Sequence, residues 1–233
     1  MMKRNLLSVI ILLTLTAPGF AQQHTLRLNT AFSGPVRAIF EGVVKEVCAR
    51  NNLKVKVQAP SAERALQQAN SGADDGDGPR IAGLSEIYAN LIQVPEKVVD
   101  VEFSAFSKKD IQIKDWESLK PYRVGILIGW KILEANIVGT KSLRKVKDAK
   151  TLFKLLENDR IQVAVINKVD GQAIIRRENL KNIKLITPPL AVREMFLYLH
   201  KKHKDLVPQI AASLKELKDE GAYQQISDRA LAE

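Results

Sequence analysis

Gly129-Trp130-Lys131 puts a turn residue, a flat apolar ring and a cation within three positions. These parts suit holding a solute: the indole can stack on a bound group, and the ammonium can meet an anion. Arg80, at the end of Gly76-Asp77-Gly78-Pro79-Arg80, could grip a carboxylate through two parallel N–H bonds. It could equally spend its charge on Asp75 or Asp77. Phe32 and Ser33 stand before Gly34-Pro35, and Asn167 ends the apolar run Ile161 to Ile166. None of these residues forms a nucleophile–base pair, so no catalytic residue is assigned. Asp75, Asp77 and Glu86 fall at the first, third and twelfth positions of a calcium loop, but Pro79 and Arg80 stand where a ligand and a Gly are needed. His200 and His203 have helical spacing but sit among three Lys with no third ligand. No metal and no cofactor are expected.

Positioning these residues requires strands that end where they stand. Tyr122 to Ile128 is an apolar run of strand length that breaks at Gly129 and feeds the helix-like Ile132 to Val138. Ligands of open α/β sheets sit just beyond such strand ends, and a helix N-terminus there offers N–H groups and a partial positive charge. Thr25 to Thr30 reads as a first strand. Phe32-Ser33-Gly34-Pro35 then turns into a helix with Val36, Ile39, Phe40, Val43, Val44, Val47 and Cys48 on one stripe. That stripe makes Cys48 a core residue. A strand at Leu53 to Val57 precedes a helix capped by Ser61. The Gly- and Asp-rich stretch Asn70 to Arg80 reads as a turn or loop. Val94-Pro95 interrupts the pattern, and Val98 to Phe106 is a long extended run.

Past the focal strand, Lys141 to Lys150 reads as a solvated basic face. Asp148 caps a helix, Ile161 to Ile166 is a buried strand, and Gly171 to Glu178 a short helix. Strands at Ile183 to Ile186 and Met195 to Leu199 are separated by Pro188-Pro189. His200 to Lys204 reads as a solvated turn, and two helices end the chain. Alternating strands and helices argue for an α/β protein with mostly parallel pairing.

Composition narrows the function. Met1 to Ala21 has the charged start, apolar middle and small-residue end of a cleavable secretory signal, with mature protein expected to begin near Gln22. Its apolar run is too short to span a bilayer. Formal charge is +10; removing Lys3 and Arg4 leaves 34 basic against 26 acidic residues, or +8. Export argues against nucleic acid as partner, and the signatures of nucleic-acid modules are missing. A single Cys allows no internal disulfide, so a packed core must carry stability.

Three stretches resemble the periplasmic solute-binding proteins of the polar amino-acid type, the family-three extracellular binding proteins. Ser118-Leu119-Lys120-Pro121-Tyr122-Arg123-Val124-Gly125, with Gly129 and Glu134, is similar to the opening of that family's second lobe. Asp159 to Asn167 is similar to its "gRvDavvvD" strand, and Leu197 to Ile226 to its C-terminal pattern. The resemblance implies an α/β, two-lobed periplasmic-binding-protein-like fold (type II) with two hinge crossings. Residues 1–21 would be the signal, 22–104 plus 190–233 lobe one, and 105–189 lobe two. VEFSAF and the stretch near Thr187-Pro188-Pro189 would be the crossings, with the strands divided into two sheets rather than one. It implies a periplasmic monomer, not an enzyme, that takes a small, carboxylate-bearing, amino-acid-like solute and hands it to an ABC permease. A sensory role on the same fold is the alternative, and a dehydratase-like enzyme ranks last. Phe32, Ser33, Arg80, Gly129, Trp130, Lys131 and Asn167 would contact the ligand. Phe32 could instead be core, Trp130 inter-lobe packing, and Lys131 a solvated helix start. The sequence departs from the family at three points. It has no Thr-rich turn before the expected Arg, Gln162 replaces one Asp, and Asn167 replaces the Asp that meets an amino group.

Overall fold

The computed structural model describes residues 25–232, so the signal assigned to Met1 to Ala21 lies outside the described residues. The N-terminal unit runs β1 (Thr25–Asn29), α1 (Gly34–Arg50), β2 (Lys54–Gln58), α2 (Ala62–Ser71) and β3 (Gly76–Ile81). β1 pairs in parallel with both β2 and β3. α1 lays Val36, Ile39, Phe40, Val43, Val44, Val47 and Cys48 on the core, as its apolar stripe requires. Burial pushes the Cys48 thiol up to about 11, which keeps it protonated and inert.

The second unit runs β5 (Arg123–Leu127), α3 (Lys131–Asn136), β6 (Ser142–Val146), α4 (Ala149–Glu157), β7 (Val163–Asn167) and α5 (Lys168–Arg177). β5 is central, parallel to β6 and β7, and Val124, Gly125, Ile126 and Leu127 are all buried. Two 17-residue strands join the units: β4 (Leu91–Ser107) and β8 (Lys184–His200). They pair antiparallel from Leu91↔His200 to Ser107↔Lys184. β3 joins the far end of β8, whereas β7 joins the far end of β4. α6 (Val207–Asp219) and α7 (Ala222–Ala232) return to α1, where Ile226 packs on Gly42 and Glu220 ion-pairs with Arg50. The result is a two-lobed α/β fold with two hinge crossings.

Three expectations need correction. The strands do not divide into two sheets: hydrogen bonding is continuous through the order β2-β1-β3-β8-β4-β7-β5-β6. The cause is the β4–β8 ladder, which runs through both lobes. Each crossing is therefore longer than its sequence suggested. Pro95 falls in a register shift between Gln93 and Lys97, and Pro188-Pro189 falls where β8 slips from Ala191 to Ile186 opposite β4. A proline at a bulge interrupts pairing without ending the strand. Residues Gly76 to Arg80, read as loop, form most of β3, with a bulge between Asp77 and Arg80. Ser142 to Val146 form the edge strand β6, and the solvated character expected of this basic stretch holds, with Arg144 and Lys145 exposed. Charged side chains on an edge also discourage further pairing.

The glycines of β3 are there for space. A Cβ on Gly76 would lie 2.4 Å from the carbonyl oxygen of Tyr198, a backbone atom that cannot swing aside. Gly76→Ala should therefore destabilise the protein by about 1–3 kcal/mol through overpacking, read as a lower urea midpoint at unchanged slope.

Candidate functional site

Phe32, Arg80, Phe103, Trp130, Lys131 and Met195 surround one small cavity between the lobes. The N-terminal lobe supplies Phe32 from the turn after β1 and Arg80 from β3. The hinge supplies Phe103 from β4 and Met195 from β8, and the second lobe supplies Trp130 and Lys131. Trp130 is 5% exposed. Its ring lies 4.9 Å from Phe32 at a tilt and 5.9 Å from Phe103 edge-on. The cavity holds about 20 Å3, room for one water and no solute of amino-acid size. The lobes as placed are closed, and a solute enters only when they part.

Arg80 reaches the cavity wall but is not a bare cation. Its Nε donates to Asp77 Oδ2 at 2.7 Å and a terminal nitrogen to the Ala62 carbonyl at 2.9 Å. Asp77 is fully buried, and its second oxygen has no hydrogen-bond partner. Burial pushes the Asp77 carboxyl up, and the Arg80 guanidinium opposes that shift. Of the two pairings open to Arg80 in the sequence, the one with Asp77 is formed. Asp75 lies elsewhere, accepting from Arg27 N and pairing with Lys202 and His203. Burial raises that carboxyl, but these donors outweigh it and hold Asp75 at about 2. His203 is thus tied into the fold, contrary to the solvated turn expected of residues 200–204.

Lys131 is likewise spoken for: its ammonium meets Glu63 of α2 at 2.7 Å, across the lobe boundary. Burial pulls the Lys131 ammonium down, but Glu63, together with Glu134, leaves it raised. The expected free N–H group at Gly129 is also taken, donating to Glu134 Oε1 at 3.1 Å. α3 has six residues, too short for a developed dipole. The expectation of a cleft with two free cations and open helix N–H groups is therefore corrected. Both cations have carboxylate partners one hydrogen bond away; Arg80 is too buried to stay unpaired, whereas the Lys131–Glu63 pair is partly exposed.

Gly129 has a steric role. It sits at φ +80°, and a Cβ there would lie 2.6 Å from Glu63 N and 2.9 Å from Ala62 Cβ. The second lobe rests backbone-first on the start of α2 at this point. Ser33 is exposed at the N-cap position of α1 without a side-chain capping bond, and it does not line the cavity. Asn167 is buried and caps α5, accepting from Asp170 N at 2.8 Å and donating to Asp170 Oδ2 at 2.8 Å. It too stands off the cavity. Sequence reading missed Phe103 and Met195, which pattern alone marks as core. It also missed Asp170, whose only signal was an acid three residues after an N-cap.

No family model matches the chain. An uncharacterised protein of Shewanella oneidensis is 30% identical over 181 residues, covering 73% of this chain and 67% of the relative. Among solved structures, an ancestral arginine-binding protein bound to glutamine superposes with a TM-score of 0.77 at 16% identity, covering 91% of this chain and 99% of that one. A histidine kinase sensor domain with similarity to periplasmic binding proteins gives 0.77 at 16%, covering 90% and 96%. A histidine-bound substrate-binding protein of a Streptococcus pneumoniae ABC uptake transporter gives 0.72 at 18%, covering 90% and 93%. At these identities the structures establish the fold. The chain belongs to one family with the Shewanella oneidensis protein, and its fold is that of the family-three, amino-acid-type periplasmic solute-binding proteins.

Proposed function

We propose that the protein is a periplasmic solute-binding protein that captures a small amino-acid-like solute with a carboxylate group in the inter-lobe cleft. The observation carrying this reading is that Phe32, Arg80 and Trp130, from opposite lobes, meet at one cavity on the hinge strands. Opened, the cleft offers an aromatic sandwich for the solute's body and the free edge of Arg80 for its carboxylate. Lys131 then lines the wall and with Gly129 acts in closure, while Ser33 and Asn167 serve the contact between the lobes outside the cavity; residues 22–104 plus 190–233 would form lobe one and 105–189 lobe two. No enzyme activity is proposed. Delivery to an ABC permease as a monomer is the transport form of the reading. Secretion by the N-terminal signal would place it in the periplasm. Among the described residues no helix is long and apolar enough to cross a membrane. A sensory role is favoured by one observation, the likeness to a histidine kinase sensor domain. Loss of uptake in a deletion strain separates transport from sensing.

A thermal-shift screen over amino acids, organic acids and amines tests the reading, because a ligand raises the melting temperature by mass action. No shift with any carboxylate-bearing solute would count against it. For the best hit, Trp130→Ala should weaken binding by roughly 1–3 kcal/mol in titration calorimetry. Arg80→Ala should weaken it by roughly 2–5 kcal/mol, and should also lower fold stability by about 3–5 kcal/mol by stranding Asp77. Asp77→Asn combined with Arg80→Gln removes both charges, so it should keep the fold and still lose affinity.

Gly129→Ala should act on closure in addition to straining the turn. With a Cβ driven into the start of α2, affinity for the same hit should fall by about 1–3 kcal/mol. Stability, read from the unfolding midpoint, should fall as well, by about 1–2 kcal/mol, because an L side chain at φ +80° is strained whether the lobes are open or closed. A lowered midpoint with unchanged affinity would show that Gly129 serves the fold instead.

A further inference from the structure

Away from the cavity, the lobes also meet where α5 packs on α1, and a carboxyl lies in that contact. Asp170 belongs to α5 in the second lobe and is 2% exposed. It faces the first turn of α1 in the N-terminal lobe, where the backbone amides of Ser33 and Val36 point at its carboxyl. The approach is possible because residue 34 is a glycine: a Cβ there would lie 3.0 Å from Asp170 Oδ1. Asn167 holds the other oxygen and the Asp170 backbone N–H, so the side chain is fixed in aim. Oδ1 has no hydrogen bond of full geometry despite its burial.

No opposite charge compensates Asp170 when the lobes are closed. On its own helix Lys168 pairs with Glu102 of β4 and Arg177 with Glu178, while exposed Arg176, in the groove beside Gly34, is not among the groups acting on the Asp170 carboxyl. On α1, Arg37 pairs with Glu41. α4, also packed on α5, sends Lys150 to Glu178. β4 meets the helix through Phe106, whose ring lies against Gly171, and β7 contributes Asn167. An ionised carboxyl in that setting is costly, because dipoles alone must replace the lost water.

We propose that Asp170 is a latch between the lobes, and that closure onto the first turn of α1 takes up one proton at its carboxyl. Burial pushes the closed-state carboxyl from 3.8 up to about 7, against the smaller downward pull of Asn167 and the Val36 and Ser33 amides. Parting the lobes returns it to water and towards 3.8. The closed form therefore binds the proton more tightly than the open one. Closure is favoured at pH 4, and the advantage is lost as pH rises through about 7. Within that window the closed-to-open ratio changes by up to about tenfold per pH unit. The inference needs only the two lobes and is independent of which solute the cleft takes.

The test measures lobe separation in the full mature chain without added solute. Spin labels go on cysteines at exposed positions of opposite lobes, Gln67→Cys and Lys154→Cys; the native Cys48 is buried and unreactive. Distances are recorded from pH 4 to pH 8. The closed population should fall with rising pH, by up to about tenfold in ratio per unit. In Asp170→Asn, which keeps the shape but cannot ionise, the profile should be flat. A flat profile in the unaltered protein, or the same slope in Asp170→Asn, overturns the latch. Should the variant not fold, the carboxyl 13C shift of Asp170 in the unaltered protein decides. Titration near 7 supports the proposal, and titration in the ordinary carboxylate range overturns it.

Discussion

The antiparallel pairing of β4 with β8 is the interaction on which the other features rest. Each strand passes from one lobe to the other, so their shared ladder is at once the middle of the sheet and the hinge. A ladder of backbone hydrogen bonds resists stretching and sliding but tolerates twist where its register slips. The slips fall between Gln93 and Lys97, between Lys97 and Val99, and between Phe103 and Ala105. The last is beside Phe103, the hinge residue that floors the cavity. Bending there changes the distance between Phe32 and Trp130 while leaving each lobe's own parallel pairing intact. Lobe rotation about a few strand residues is a common route to ligand-coupled closure.

With the hinge set, closure is decided by a few contacts at the rim, and these are of different kinds. Gly129 on α2 is steric, a backbone meeting a backbone with no room for a methyl group. Lys131 with Glu63 is ionic and partly exposed, so salt screens it and its net worth is small. Asp170 on α1 is polar and buried, so its cost depends on ionisation. Trp130 between Phe32 and Phe103 is apolar, and it gains the most by area. In the proposed closure, the apolar contact would drive the lobes together, the glycine would permit it, and Lys131 and Asp170 would modulate it.

How far this was readable from the residues depended on whether a feature is local. α1 announces itself through seven apolar positions at helical spacing, and β5 through Val124 to Leu127 ending at a glycine. The bulged strands did not. Gly76-Asp77-Gly78-Pro79 has turn composition because β8 and Phe40 press against it, a reason that exists only in three dimensions. Pro188-Pro189 looked like a strand end because a one-dimensional reading cannot see a partner strand bridging the gap. In the site, Trp130, Phe32 and Arg80 were identifiable by type and placement. Their partners were not: Asp77 lies three residues from Arg80 on a strand, but Glu63 lies 68 residues from Lys131.

Those partners change what the cleft can select. Two cations facing an opened cleft would draw in anions from a distance and favour multiply charged solutes. Paired with Asp77 and Glu63, they present dipoles instead, and the attraction falls off within a few ångströms. A carboxylate arriving at Arg80 shares the guanidinium with Asp77, whose second oxygen already lacks a donor. A second acid on the solute would meet no free positive charge on these walls, whereas an ammonium near Asp77 or Glu63 would. On the proposed reading, the arrangement would favour a solute that carries both charges over a simple anion. Selection on that reading would then pass to Phe32, Phe103 and Trp130, which line the cavity.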